Sequence, residues 1–426
     1  MIRRLPGSRG ALLPLLLLAG ALGAVRVEAQ SLLVPMDRAQ ANHLKAYGLT
    51  FVTLQAGGRG EWLLNYRGGS FLLPDNDGVR REAALRGVTI QAVGAAEIAA
   101  IRAVIAESNM ESVTLETAPR IAIYTPPNSA PWDDAVTMAL TYAGIEYETI
   151  WDPEVLADGL GEYEWLHLHH EDFTGQYSKF YMTYAGAPWL QEEVARNQEV
   201  ARRLGYGSVP ELKKAVARKI RDFVEGGGFL FAMCSATETL ELALAAGSTD
   251  IAAAFSDGTP PDPEASDHMD WSRAMAFQAA EVQVAPTISA FSDIDGHQVN
   301  TPWRAELGAF TLFDFSAKFD PVASMLTQNH ESVISDFYGL TTSFREDRLK
   351  PGVLVLAREG SWAKYIHGNF GEGTWTFYGG HDPEDPEHQI GDPSTDLSLH
   401  PNSPGYRLIL NNVLFPAAEK KELKTQ

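Results

Sequence analysis

Cys234 is the only thiol in 426 residues, and it stands where a thiol could do chemistry. It follows the apolar run Phe229-Leu230-Phe231-Ala232-Met233 and precedes Ser235-Ala236 and an apolar stretch reaching residue 246. That pattern predicts a buried strand, a sharp turn and a helix. Ligands of open parallel sheets sit beyond the carboxyl ends of strands, so the thiol is expected at such a rim. The partial positive charge of a helix N-terminus favours thiolate over thiol there. The backbone N–H of Ser235 could hold an oxyanion. Small residues at Ala232 and Ala236 leave room for the turn of a nucleophile elbow. The competing reading is a buried Cys that packs as a small hydrophobe.

A thiol nucleophile needs a base, and His is the usual one. Phe377-Tyr378-Gly379-Gly380-His381-Asp382-Pro383-Glu384-Asp385 follows another strand-like run, which places His381 at the same sheet edge as Cys234. An acid must fix the tautomer of that base. Glu384 is the expected partner, with Asp382 next. The alternative is a loop His capped by acidic neighbours.

A third group is Trp165-Leu166-His167-Leu168-His169-His170-Glu171-Asp172. On a strand, His167 and His169 share a face, and His170, Glu171 and Asp172 fall at its exit. His169, His170, Glu171 and Asp172 are expected as substrate contacts. Hydrogen-bonded sheet residues are the bland alternative. A metal is the other, with His169, His170 and His381 as ligands and Asp385 or His388 completing the set. No cofactor is expected. Phe173, Tyr177, Phe180, Tyr181 and Tyr184 could line a pocket for a sugar or peptide, or serve as core.

The elements that must position these residues alternate. Residues 32–34 read as a strand, 38–47 as a short helix ended by Gly48, and 51–54 as strand-like. Residues 62–66 and 70–73 flank Arg67-Gly68-Gly69 as a hairpin, and 97–105 form a helix candidate. After Pro119 come a strand at 121–124, a helix with Ser129 as its cap, Asp133 and Asp134 in its first turn and Gly144 as its stop, and strands at 147–151 and 164–169. Ser208-Val209-Pro210-Glu211 reads as a capping box, and Gly226-Gly227-Gly228 ends the helix it starts. Strands follow at 353–357, 363–367 and 374–378, with a closing helix at 405–415. This order predicts an α/β fold with a doubly wound parallel sheet covered on both faces. Residues 30–117 form a small N-terminal α/β unit and 118–416 the main domain. Residues 248–345 are an insertion over the strand ends, and 417–426 a charged, frayed tail.

The formal charge is −21, from 34 Lys and Arg against 55 Asp and Glu. A chain so acidic repels nucleic acid and anionic lipid, so neither is an expected partner. Arg3, Arg4 and Arg9, the apolar residues 11–25 and Val27-Glu28-Ala29 have the layout of a secretory signal. Residues 1–29 are therefore expected to be removed, leaving a charge of −24 because four Arg and one Glu go with them. The apolar run is shorter than the ~20 residues a membrane span needs. A periplasmic or extracellular protein without a membrane span is the expectation, with no internal disulfide.

The strand-Cys-helix elbow and the late strand-Gly-His-acid segment resemble the class I glutamine amidotransferase-like superfamily. That resemblance implies a flavodoxin-like sheet over residues 119–416 and a Cys-His-Glu triad in that chain order, carried here by Cys234, His381 and Glu384 or Asp382. Ala232 and Ala236 stand where that superfamily has Gly, and His381-Asp382-Pro383-Glu384 is one residue longer than its His-Pro-Glu. Residues 375–415 also look like its trehalose-utilisation (ThuA-like) branch. The words Leu33-Val34-Pro35-Met36-Asp37, Asn42-His43-Leu44-Lys45-Ala46-Tyr47-Gly48, Leu168-His169-His170-Glu171-Asp172-Phe173-Thr174-Gly175 and Phe231-Ala232-Met233-Cys234-Ser235-Ala236 resemble exported bacterial proteins labelled asparagine synthetase B. The N-terminal Cys and the Ser-Gly-Gly-x-Asp-Ser loop of that enzyme class have no counterpart here; Gly57-Gly58-Arg59-Gly60 and Arg67-Gly68-Gly69-Ser70 do not match the loop. The expected activity is that of a Cys-His-acid hydrolase or amidase on a small-molecule, peptide or sugar substrate. The alternatives are a non-catalytic or carbohydrate-binding ThuA-like protein and a metal-dependent hydrolase.

Overall fold

Two sheets organise the chain. The computed structural model describes residue 1 and residues 31–127, 134–284, 291–296, 309–327, 331–335, 341–385 and 393–420. Residues 2–29 of the expected signal segment, Ser129, Asp133, His388 and residues 421–426 lie outside the described residues.

The first sheet contains β1 (Ser31–Val34), β2 (Gly60–Leu64), β3 (Ser70–Pro74), β4 (Gln91–Val93) and β5 (Glu111–Leu115). Its order is β4-β1-β3-β2-β5, antiparallel throughout. The expected hairpin is β2–β3, with Trp62 opposite Phe71. The helix expected to stop at Gly48 instead spans His43–Gln55 and absorbs the run read as a strand at 51–54. Asn42 caps it by accepting the Lys45 N–H at 2.9 Å. Gly48 is a contact glycine and not a stop, because a Cβ there would lie 1.8 Å from the Ala143 carbonyl oxygen.

The second sheet contains β6 (Ile121–Tyr124), β7 (Glu148–Ile150), β8 (Trp165–Leu168), β9 (Phe229–Met233), β10 (Phe310–Leu312), β11 (Val333–Ile334), β12 (Phe344–Arg345), β13 (Leu354–Glu359), β14 (Trp362–Phe370) and β15 (Gly373–Tyr378). Its order is β11-β10-β13-β14-β15-β9-β8-β6-β7, with β12 paired to β14. The stretch β15-β9-β8-β6-β7 is parallel. The rest is antiparallel, so the sheet is mixed and not parallel throughout. The reason lies in the connections. Gly360-Ser361 and Gly371-Glu372 are two-residue links, each with its Gly at positive φ, and so short a link can only join antiparallel neighbours. The 248–345 insertion supplies β10, β11 and β12, so it extends the sheet as well as covering it.

Apolar residues cover both faces of the parallel half. Ile121, Ile123, Phe229, Phe231 and Met233 pack with the helices Ala135–Ala143 and Pro404–Leu414 and with the N-terminal unit. Ala122, Tyr124, Leu166, Leu230 and Ala232 pack with the helices Val209–Glu225 and Ala236–Ala246. Ser208 caps the former, accepting the Glu211 N–H at 3.3 Å, while the Glu211 carboxylate accepts the Gly207 N–H at 2.9 Å and not that of Ser208. The tail begins ordered: Glu419 N–H donates to the Thr114 carbonyl at 2.9 Å along β5. Among the described residues no helix is long and apolar enough to cross a membrane.

Candidate functional site

Cys234 leaves β9 with φ +50, the left-handed region that costs an L-residue of order 1–3 kcal/mol and persists only where its surroundings enforce it. The enforcing contact comes from the neighbouring strand. Met233 on β9 lies opposite Tyr378 on β15, so both chains leave the sheet at one edge. The Cys234 N–H then donates to the Gly380 carbonyl at 2.9 Å. That approach needs both glycines: a Cβ on Gly379 would lie 2.5 Å from the Thr342 carbonyl oxygen, and Gly380 sits at φ +106. His381 follows directly, at the rim the sequence predicts for it.

The next strand delivers the other imidazoles. Leu168 on β8 pairs with Ala232 on β9, so His169 and His170 emerge beside the elbow. The start of the helix Ala236–Ala246 holds them there. Ala236 N–H donates to the His169 carbonyl at 3.1 Å, Ser235 Oγ to the His170 carbonyl at 2.9 Å, and Thr239 Oγ1 to the Glu171 carbonyl at 2.8 Å. Ser235, read as the oxyanion donor, therefore also pins the His170 backbone through its hydroxyl.

One donor atom from each of His169, His170 and Cys234 lies within 4.8 Å of the other two. His381 joins through His170, Nε2 to Nε2 at 3.0 Å. The rings of His169 and His170 stack at 3.8 Å between centroids, and those of His169 and His381 lie 4.1 Å apart. Cys234 is buried, with 1% of its surface exposed, beneath this layer. The ligand set expected for a metal is His169, His170 and His381. The structure instead groups Cys234 with the first two residues, and His381 stands behind His170.

Asp134 is the acid that sequence reasoning left in the first turn of a helix. It is that helix's cap, its carboxylate accepting the N–H groups of Val136 at 2.7 Å and Thr137 at 3.2 Å. The same carboxylate lies 3.2 Å from His167 Nε2 and 3.6 Å from His169 Nδ1. Burial would raise its pKa, but the imidazoles of His167 and His169 hold the carboxyl well below the usual range. His167 is tied off by a 3.0 Å contact between Nδ1 and the Phe231 carbonyl. An Asp just before an apolar helical run is itself a capping signal, and it could have singled out Asp134.

The acids expected behind His381 have these partners. Glu384 faces His400, carboxylate to Nδ1 at 3.2 Å. Asp382 is buried and accepts from Tyr406 and, at 3.1 Å, from Thr395. Burial, reinforced by the Asp382 charge, raises the Tyr406 phenol well above its ordinary value.

A cleft of about 100 Å³ opens beside the rings, lined in part by Asp134, His169, His170, Glu171, Tyr177 and Lys213. It lies at the carboxyl ends of β6 and β8, where the order of the parallel strands reverses. Glu171 accepts the His169 N–H at 2.9 Å, and burial lifts its carboxyl to about 7. Asp172 also borders the cleft, but its carboxylate is occupied by the N–H groups of Thr174, Gln176 and Ser178 and by the Thr174 hydroxyl. It anchors the loop at the cleft's border. Of the aromatic group, Tyr177 and Phe180 line the cleft, while Phe173 is core. Behind the elbow, Lys179 pairs with Glu238 and donates to Thr341 Oγ1 at 2.9 Å. Burial would lower the Lys179 pKa; the charges of Glu238, Asp295 and Cys234 together raise it.

No family model matches the chain, and no curated protein does. Among solved structures it is similar to a cytoplasmic protein of Salmonella typhimurium, at 10% identity and a TM-score of 0.34, covering 71% of this chain and 100% of that one. A second cytoplasmic protein, from Salmonella typhimurium LT2, matches at 9% identity and a TM-score of 0.33, covering 70% and 100%. A Thermoplasma acidophilum protein named for GMP synthase matches at 9% identity and a TM-score of 0.32, covering 70% and 94%. At these scores the likenesses carry no argument about activity, and the site's chemistry rests on its own residues.

Proposed function

We propose that the protein is an exported Cys-dependent hydrolase or amidase of the class I glutamine amidotransferase-like superfamily, built on a flavodoxin-like sheet. Numbered along the chain, the parallel strands run 2-1-3-4-5, the flavodoxin order. The observation that carries the activity is the left-handed Cys234 at a strand-helix junction, with imidazole donors of His169 and His170 within 4.8 Å of it and His381 joined to His170.

In this reading the His170–His381 pair takes the Cys234 proton, and the thiolate attacks a substrate carbonyl. A C–S bond forms, the C–N or C–O bond breaks, and the imidazolium returns the proton to the leaving group. Water activated by the same pair then cleaves the thioester, releasing acid and free thiol. The Ser235 N–H holds the oxyanion. Asp134 orients His169, which packs against both rings of the pair. The cleft is lined by His169 and His170 and not by Cys234, so a small amide or ester would reach the sulfur past those two rings.

The test is alkylation by iodoacetamide and turnover of a panel of small amides and esters, with Cys234→Ala beside the parent. Fast labelling of the folded protein, and turnover lost in the variant, are expected. A thiol that reacts only after unfolding, or turnover that survives Cys234→Ala, would sink the reading.

A further inference from the structure

We infer that Cys234, His169 and His170 bind one soft divalent cation such as Zn²⁺, with His381 closing in from beside His170, and that its occupation shuts the nucleophile. The regulatory half rests on the proposed function; the binding half does not.

Thiolate and imidazole are the donors that zinc prefers, and they converge here from separate elements. His169 and His170 leave β8, Cys234 leaves β9, and His381 follows β15. The separation of 3.0 Å between His170 Nε2 and His381 Nε2 is one that a single ion can span with bonds of about 2.0–2.1 Å. Two like nitrogens so close must share either a proton or a cation. The surroundings fit the second choice. His169 Nδ1 lies 3.6 Å from the Asp134 carboxylate, beyond hydrogen-bond length but near enough for that charge to favour a cation on the ring. The backbone of His169 and His170 is fixed by Ala236 and Ser235, so the donors are preorganised. A second donor group, Asp134, His167 and His169, shares His169 with the first. Its His167 gives Nδ1 to the Phe231 carbonyl and turns Nε2 to Asp134, but this group holds no thiol, so a soft cation favours the group that contains Cys234.

Binding would release the thiol proton and place the sulfur lone pair on the cation. A sulfur so held cannot attack a carbonyl, and the proton-accepting nitrogens are occupied with it. The site would then be active when metal-free and silent when metal is abundant.

The test is titration of the full chain, stripped by chelator, with Co²⁺ as a spectroscopic substitute and Zn²⁺ as competitor. One equivalent should give a thiolate-to-cobalt charge-transfer band that Zn²⁺ removes. Cys234→Ser should abolish the band, and Asp134→Asn, which can still cap its helix, should weaken Zn²⁺ binding about 10- to 100-fold. Zn²⁺ should also slow iodoacetamide labelling of Cys234 at least tenfold, and chelator should restore it. Absence of the band in the folded parent, or a band unchanged in Cys234→Ser, overturns the proposal. A circular dichroism spectrum of each variant excludes misfolding, and His170→Gln supplies an independent ligand deletion. The two readings fail separately. Fast labelling and turnover without any metal band would remove the cation and leave the hydrolase. A metal band with no turnover by the stripped protein would leave the cation and remove the hydrolase.

Discussion

His381 Nε2 lies 3.0 Å from His170 Nε2 across 211 residues of chain, so the proposed mechanism assigns its proton transfer to the pair and not to one imidazole. Groups that act as one unit give grossly non-additive losses when deleted. His170→Ala and His381→Ala are each expected to lower the turnover number by about 10²–10⁴-fold, the range of general base catalysis. The double variant should lose no more than the worse single. Losses that multiply would mean two independent roles, and the paired-base account would have to go.

The hydrogen bond from Cys234 N–H to the Gly380 carbonyl depends on backbone that only glycine adopts easily. Gly380→Ala at φ +106 is expected to cost about 1–3 kcal/mol in urea unfolding. It should also change the alkylation rate of Cys234, because the elbow loses its tie. Gly57→Ala, at φ +81 with no atom within 4 Å of the new Cβ, is the control for strain without contact. Equal labelling rates in both variants would show that the elbow holds its shape alone.

Much of this architecture is legible in the sequence alone. The apolar runs at β6, β8, β9 and β15 are short, continuous and bounded by turn residues, and each is a buried strand. Cys234 and His381 follow from their places after two of them. Three things are hidden. The run at 51–54 carries no period long enough to separate strand from helix, and the helix from His43 simply continues through it. The partner of His169 is Asp134, which a sequence shows only as a cap. The acids beside His381 in sequence, Glu384 and Asp382, meet His400 and Tyr406, partners set by tertiary packing. Spacing reports which side chains share a strand exit, but not which neighbour wins a carboxylate.

Lys179 and Glu238 form an ion pair beneath the elbow with 2% and 0% of their side chains exposed. Removing one partner leaves an uncompensated buried charge, so Lys179→Met is expected to cost about 3–5 kcal/mol. Replacing both by apolar residues of similar volume, Lys179→Met with Glu238→Leu, should recover most of that loss. A double-mutant cycle by urea unfolding measures the coupling. A double variant as unstable as the sum of the singles would argue that Thr341 and Ser292, which donate to Glu238, contribute more than the lysine does.

Asp134 has two duties that substitution can separate. Its oxygen caps the helix Ala135–Ala143, so Asp134→Ala should lower stability by roughly 1 kcal/mol. Asp134→Asn keeps a capping oxygen and should stay near the parent by chemical denaturation. It nevertheless removes the charge beside His169, so its turnover should fall even where its stability does not. If the Ala and Asn variants lose activity only in proportion to stability, the carboxylate is a cap and nothing more.

His367 offers a stability test remote from the cleft. It is buried on β14 opposite Thr376, with Nδ1 2.9 Å from the Thr376 hydroxyl, and burial depresses its pKa from 6.5 to about 3. The folded chain therefore holds this ring neutral at pH values where the unfolded chain protonates it. Between pH 6.5 and about 3 the unfolded state binds the extra proton, so stability must fall as pH falls across that window. At about 1.4 kcal/mol per pH unit, the loss from this residue should reach about 2 kcal/mol by pH 5. His367→Gln cannot titrate but can still reach Thr376. Urea unfolding of parent and variant from pH 7 to pH 5 isolates the effect, since every other titration is common to both. The parent should lose ground steadily against the variant. Two curves that stay parallel would mean that the ring is hydrated or protonated in the fold, and that its seat between β14 and β15 is less closed than its burial implies.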